Sequence, residues 1–376
     1  MFGEECWLMG IPGRFRGILE PFIGDLRARE IVSGIGLFGS WSRGDASLSS
    51  DIDLLVVESR DFDYEYFERI ELDGNLVDLN YVPRSWVAYR VPPEIDQKLY
   101  ELQVIFDRDN SLSRARDLML KVYWRPERVE IRTETHLIEA DAYLSRARAA
   151  FNRGDYRSVK VNAIRCFWSL MKILTEIGKK PILSSHFMRN LEAASKGLEM
   201  HGLYEDYINL MGFAGLDKAG VKKMLESLSS AWRGAISTIS ASPAALRSLH
   251  PKVATKLNYY GRETFLRGLV ARVNALLDEA APIEAAHYMF HVLADMLENY
   301  ALLISASEGV RFDYSVLLKF LGESKAAPTE VYQNAISVFG VREVSGREVE
   351  EVLKMTVEAA MNIRQRRKDL IARFIG

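Results

Sequence analysis

The residues whose types and spacing can do chemistry lie between Phe38 and Val57. The chain there reads Phe38-Gly39-Ser40-Trp41-Ser42-Arg43-Gly44, and a ten-residue spacer separates Ser40 from Asp51-Ile52-Asp53-Leu54. A strand that ends in Gly39-Ser40 and turns into a short helix offers backbone N–H groups and a hydroxyl to an anion. Glycine lets a phosphate approach the backbone closely. Arg43, one turn on, adds a forked cation matched to phosphate oxygens. Asp51 and Asp53 alternate with Ile52 at the start of an apolar run, so strand geometry puts both carboxylates on one face. Two adjacent carboxylates repel unless a cation lies between them, and hard oxygen donors suit Mg2+ or Mn2+.

A third carboxylate, Asp78, sits within the alternating run Leu76–Val82, with Val77 and Leu79 pointing oppositely. If that run pairs with the strand after Asp51, Asp78 faces the same side and completes a three-carboxylate cluster. Such a cluster is what two-metal nucleotidyl transfer requires. One cation holds a triphosphate, the other activates an attacking hydroxyl, and both offset charge at the α-phosphorus. Asp78 would be a metal ligand or the general base for that hydroxyl.

The pattern apolar-Gly-Ser, spacer, Asp-apolar-Asp-apolar resembles the DNA polymerase β superfamily. The fuller form, Gly39-Ser40-x-x-Arg43-Gly44 with Ser50-Asp51-Ile52-Asp53-Leu54, is similar to its minimal nucleotidyltransferases. The resemblance covers about 20 residues tightly and the stretch from Ile35 to Phe106 loosely; Ser42 stands where alanine is commoner. It implies an enzyme that transfers AMP from ATP, or another NMP from its NTP, to an acceptor hydroxyl and releases pyrophosphate. Asp51, Asp53 and Asp78 would be the catalytic and metal-binding residues, and Gly39, Ser40 and Arg43 the nucleotide phosphate site. The acceptor, which could be a small molecule, a protein or an RNA end, is not legible, nor is the oligomeric state, a homo-oligomer included. Two other readings stay open: an antitoxin-like nucleotide-binding or protein-interaction module with little turnover, and an RNA-end-adding enzyme.

The elements that must position these residues follow from periodicity. Helical spacing covers residues 17–33, and Ile35–Phe38, Ile52–Val57, Leu76–Val82 and Leu102–Phe106 read as strands. Residues 62–71, polar with an aromatic stripe, read as a loop or short helix. Pro92-Pro93 opens a helix to Tyr100. From about residue 112 strand signals vanish. The expected fold is α+β: a small mixed sheet with helices over residues 1–120, then an all-helical region over 121–376, with a subdivision near 245–280. A single helix is expected over 252–278. The break Phe151–Tyr156 resembles that between helix pairs of the HEPN class. The Arg–His spacing of that class's ribonucleases is absent, since Arg132 stands too close to His136 and Arg128 too far from it.

Of the 376 residues 48% are hydrophobic and 27% charged, and the formal net charge of −2 argues against a protein that coats nucleic acid. Two distant cysteines, Cys6 and Cys166, give no zinc ribbon or disulfide framework. No signal-peptide pattern opens the chain and no apolar run reaches bilayer-spanning length, so a cytoplasmic setting without membrane association is expected. Some polar residues have plainer readings. Asp45 caps or faces solvent, Asp107 and Asp109 form a turn, Trp41 packs, and His136 and His186 are structural. The run Arg364, Arg366, Arg367, Lys368 and Arg373 forms the wet face of a last helix. Arg157, Lys160, Arg165 and Lys172, on one helix, are divided between solvent and a cleft.

Overall fold

A computed structural model describes residues 13–47 and 50–376, so Cys6 and the N-terminal stretch read above lie outside the described residues. The first elements are α1 (Gly13–Ala28), β1 (Val32–Phe38), α2 (Gly39–Arg43), β2 (Ile52–Glu58), β3 (Tyr66–Leu72) and β4 (Asn75–Pro83). They continue with α3 (Arg84–Ala88), a 3-10 turn at Pro93–Ile95, α4 (Asp96–Glu101), β5 (Gln103–Asp107) and α5 (Ser111–Val122). The strands form one mixed sheet in the order β3-β4-β2-β1-β5, in which β2 and β4 run parallel and the other neighbours antiparallel. With the helices that follow, this is the α+β architecture expected from the sequence.

The two sheet faces are covered differently. One carries Ile35, Leu37, Leu54, Val56, Val77 and Leu79, and packs with Leu19, Ile23 and Leu26 of α1 and with Trp41. Burying these side chains stabilises the sheet by roughly 1.5–3 kcal/mol for each large one. On the opposite face β1 has Gly34 and Gly36. Added Cβ atoms there would press on Leu112 and Leu102, so the two glycines make room for that cover. In-register pairing then sets Phe38, Asp53, Asp78 and Arg69 side by side across β1, β2, β4 and β3.

Two local expectations need correction. β1 begins at Val32, inside the stretch read as helical, because Val32 and Gly34 pair with Glu58 and Asp107 of the flanking strands. Residues 66–72 are a strand, not a loop or short helix. Asp73 and Gly74 both adopt positive φ, 47° and 79°, which closes a tight hairpin and folds β3 back on β4. The edge strand fully buries only Arg69, with Tyr66, Ile70 and Leu72 partly buried against the core, so no continuous apolar face announces it.

The chain divides into two compact units: residues up to Tyr123 with Arg262–Gly268, and Trp124–Gly261 with Leu269–Gly376. The second unit is helical. The long pair α6 (Pro126–Asn152) and α7 (Tyr156–Ile177) is broken at Gly154, and the Asp155 carboxylate caps α7 by accepting from Ser158 N at 3.1 Å. Then come α8 (Phe187–Gly197), α9 (His201–Met211), α10 (Lys218–Ala241), α11 (Pro243–Ser248) and α12 (Pro251–Tyr260). The rest are α13 (Glu263–Asp278), whose residues after Gly268 belong to this unit, α14 (Pro282–Glu308), α15 (Leu317–Glu323), α16 (Thr329–Val338) and α17 (Gly346–Phe374), which packs on α6 and α7. The helix expected over 252–278 is two: α12 stops at Gly261, whose N–H bonds Leu257 O at 2.7 Å.

Candidate active site

β2 lies in the middle of the sheet and delivers Asp53 between Phe38 on β1 and Asp78 on β4. Asp51 stands one residue before the strand, nearly buried, and Asp78 is buried as well. Asp53 is half-exposed. The sheet pairing thus sets Asp78 beside Asp53 and gathers the three carboxylates at one end of the sheet.

Gly39 begins the turn from β1 into α2 at φ +75°, a region that L side chains rarely adopt. A Cβ at this position would collide with Oδ2 of Asp53 and stand 3.2 Å from its Cγ. The Gly-Ser turn and the second aspartate are therefore in direct contact, and the glycine is required on two counts. Ser40 follows, half-exposed. Arg43 is differently placed from the sequence expectation. Its guanidinium bonds Glu101 at 2.7 Å and Asp45 at 3.2 Å, tying α2 to α4. Trp41 is buried in the α1-side core and donates to Ser50 O at 3.3 Å, so it packs rather than offering a stacking face. Asp107 accepts from Leu112 N and Ser113 N, and Asp109 from Ser111 N, so both fix the turn into α5.

Sequence reasoning missed Arg69. From β3 its guanidinium reaches across the carboxylates: Nε donates to Asp78 Oδ1 at 2.6 Å, and Nη2 donates to Asp51 Oδ2 at 2.7 Å and to Asp78 Oδ2. The side chain is 5% exposed, so this is a desolvated ion triad, and removing one partner leaves a buried charge uncompensated. Within the same unit the Phe265 ring lies 5.0 Å from the guanidinium carbon, and Arg262 donates to Arg69 O. The signal was present in the sequence: Asp73-Gly74 predicts a hairpin, and the hairpin puts Arg69 opposite Asp78.

Hard carboxylate oxygens gathered around a cation suit Mg2+ or Mn2+ in their chemistry. Among the described residues, however, no three acidic, histidine or cysteine side chains converge on one ion position as they stand. Asp53 lies against Gly39, and Arg69 spans Asp51 and Asp78.

Comparison with known proteins bears directly on this segment. Residues 19–109 match the family model described as a nucleotidyltransferase domain. These residues are a polymerase β-like nucleotidyltransferase domain. The sheet, Gly39-Ser40 and the three aspartates all fall inside it. Among solved structures the chain is similar to a nucleotidyltransferase-like protein from Exiguobacterium sibiricum 255-15, with 14% identity, 75% of this chain and 80% of that chain covered, and a TM-score of 0.33. No curated protein matches the sequence.

Beyond the nucleotidyltransferase domain, the four cations of α7 all have partners within the helical unit, and Arg157 also lines a cavity there beside Tyr332 and Glu343. Arg157 donates to Val341 O and Arg342 O, Lys160 to Glu348, Arg165 to Asp295, and Lys172 to Glu139. Arg165 and Lys172 are buried, so their charges must be paired, whereas Arg157 and Lys160 are half-buried. Three cations of the basic run of α17 are likewise matched by acids of α6, and Arg373 lies 3.6 Å from Glu199. Arg364 bonds Asp141, Arg367 bonds Glu134, and Lys368 lies 3.1 Å from Glu130. Arg367 is buried, against the expectation of a wholly wet face. His136 lies 3.9 Å from Glu176, and His186 bonds Ser185 and Glu279. Cys166 is buried, and burial pushes its thiol up to about 12. No helix among the described residues is long and apolar enough to cross a membrane.

Proposed function

We propose that the protein is a metal-dependent nucleotidyltransferase that moves an NMP, AMP from ATP in the first instance, onto an acceptor hydroxyl and releases pyrophosphate. The observation that carries this reading is the side-by-side pairing of Asp53 and Asp78, with Gly39 in contact with Asp53, inside a nucleotidyltransferase domain. Asp51, Asp53 and Asp78 would hold Mg2+ or Mn2+, which when bound supplies Lewis-acid stabilisation of charge at the α-phosphorus. The protein's own residues do the rest. The Gly39-Ser40 turn receives the triphosphate, since glycine leaves the backbone open and Ser40 brings a hydroxyl. Asp78 is the candidate to accept the proton of the attacking hydroxyl. Arg43, paired with Glu101 and Asp45, reaches a phosphate only by exchanging a carboxylate for it. The reading keeps the cytoplasmic setting expected from the sequence.

Incubation of the protein with [α-32P]ATP, Mg2+ and separate pools of small molecules, protein and RNA tests it. Label should appear on one pool and disappear with Asp51→Asn or Asp53→Asn. Transfer that survives both substitutions would exclude these aspartates. An RNA end is the weaker acceptor candidate, because Arg364, Arg367 and Lys368 of α17 are matched by carboxylates of α6.

A further inference from the structure

We infer that Arg69 is a positioning residue that sets when Asp78 can take a cation; this rests on the nucleotidyltransferase reading and adds a control to it. Two observations carry the inference. Arg69 engages both oxygens of Asp78 and Oδ2 of Asp51, while Asp53 is the more exposed carboxylate and lies toward Gly39. Its place is also built rather than incidental. It is fixed by register opposite Asp78 on β3, the Phe265 ring lies beside it, and a Cβ at Gly268 would press on its Nη1.

A guanidinium and a divalent cation want the same oxygens, and like charges this close repel in a desolvated site. Arg69 engages both oxygens of Asp78, so Asp78 can take a cation only when Arg69 lets go, and its use is coupled to movement of one side chain. Because Asp78 is also the candidate base, its availability to the acceptor hydroxyl follows the same movement.

Mn2+ binding to the full-length protein, read by electron paramagnetic resonance, tests this without any turnover. The wild type should bind Mn2+ in a manner lost with Asp53→Asn. Arg69→Gln should tighten binding by about tenfold, and Arg69→Lys by less, since lysine keeps a competing charge. The gain should vanish in the Arg69→Gln/Asp78→Asn double variant, which a merely structural role would not produce. Arg60→Gln, which removes a surface charge paired with Glu58, controls for net charge and should leave binding unchanged. Equal or weaker binding by Arg69→Gln, with wild-type binding intact, would overturn the inference and leave the proposed function standing. Absence of Mn2+ binding in every variant would remove both. Should Arg69→Gln fail to fold, the Arg69 Nε resonance of the wild type decides: it should shift on Mg2+ addition, and a fixed resonance at saturating Mg2+ refutes the coupling.

Discussion

The carboxylate of Asp53 lies against the bare Cα of Gly39, so the turn that begins α2 and the central strand of the sheet share one contact. A side chain at residue 39 would meet that carboxylate and would also sit at a φ of +75°. Gly44 offers a control at the end of the same helix, because its φ is +83° but nothing stands within 4 Å of an added Cβ.

Gly39→Ala and Gly44→Ala should therefore differ in kind. Both carry the strain of a side chain at positive φ, about 1–3 kcal/mol, visible in chemical denaturation. Only Gly39→Ala should also displace Asp53 and lose Mn2+ affinity. Equal Mn2+ binding by the two variants would separate Gly39 from the carboxylate site.

The ion triad predicts an order of stabilities. Asp78 accepts two bonds from Arg69 and Asp51 accepts one. Asp78→Asn should destabilise the protein by on the order of 3 kcal/mol, and Asp51→Asn by less. Arg69→Gln should cost less in the Asp78→Asn background than alone, because two of the guanidinium's three bonds are already gone. Thermal unfolding of these variants with Arg69→Gln alone checks this, and a strictly additive double variant would contradict the triad.

The helical unit should lose stability in mild acid. Tyr207 Oη lies 3.0 Å from His287 Nε2 and 2.8 Å from His291 Nε2, in a fully buried cluster with Trp168 stacked on His291. Burial, with Lys172 nearby, pushes His287 down to about 3; burial, His287, Arg165 and Lys172 push His291 well below the ordinary value. Both are neutral when folded and take up protons when unfolded. The stabilisation is thus complete above the unfolded value near 6.5 and falls as pH drops toward about 3. The loss below pH ~6 is on the order of 1.4 kcal/mol per pH unit for each histidine. Urea denaturation at pH 7.5 and 5.5 should show it, with a flatter dependence in His287→Gln/His291→Gln; identical slopes would contradict a neutral pair.

What the sequence made legible follows from how local each signal was. Asp53 opens a short apolar run and Asp78 sits in an alternating one, both legible as strands, and the parallel pairing of β2 with β4 then puts them side by side. β3 was illegible by that route. Tyr66–Leu72 buries little apolar surface, and its strand state comes from the Asp73-Gly74 hairpin and from pairing with β4. Missing the strand meant missing Arg69. The cations of α7 and α17 were misplaced for a related reason. Their partners Glu139, Glu134, Asp141 and Asp295 lie on other helices, so spacing along one helix could not reveal that the charges were already paired.

The most direct measurement of the central claim is calorimetric titration of the protein with α,β-methylene-ATP, which needs no acceptor. Binding should require Mg2+ or Mn2+, should be lost with Asp53→Asn, and should weaken with Gly39→Ala but not with Gly44→Ala. Binding that is indifferent to the divalent cation and unchanged in Asp53→Asn would contradict a nucleotidyltransferase site built on Gly39, Asp51 and Asp53.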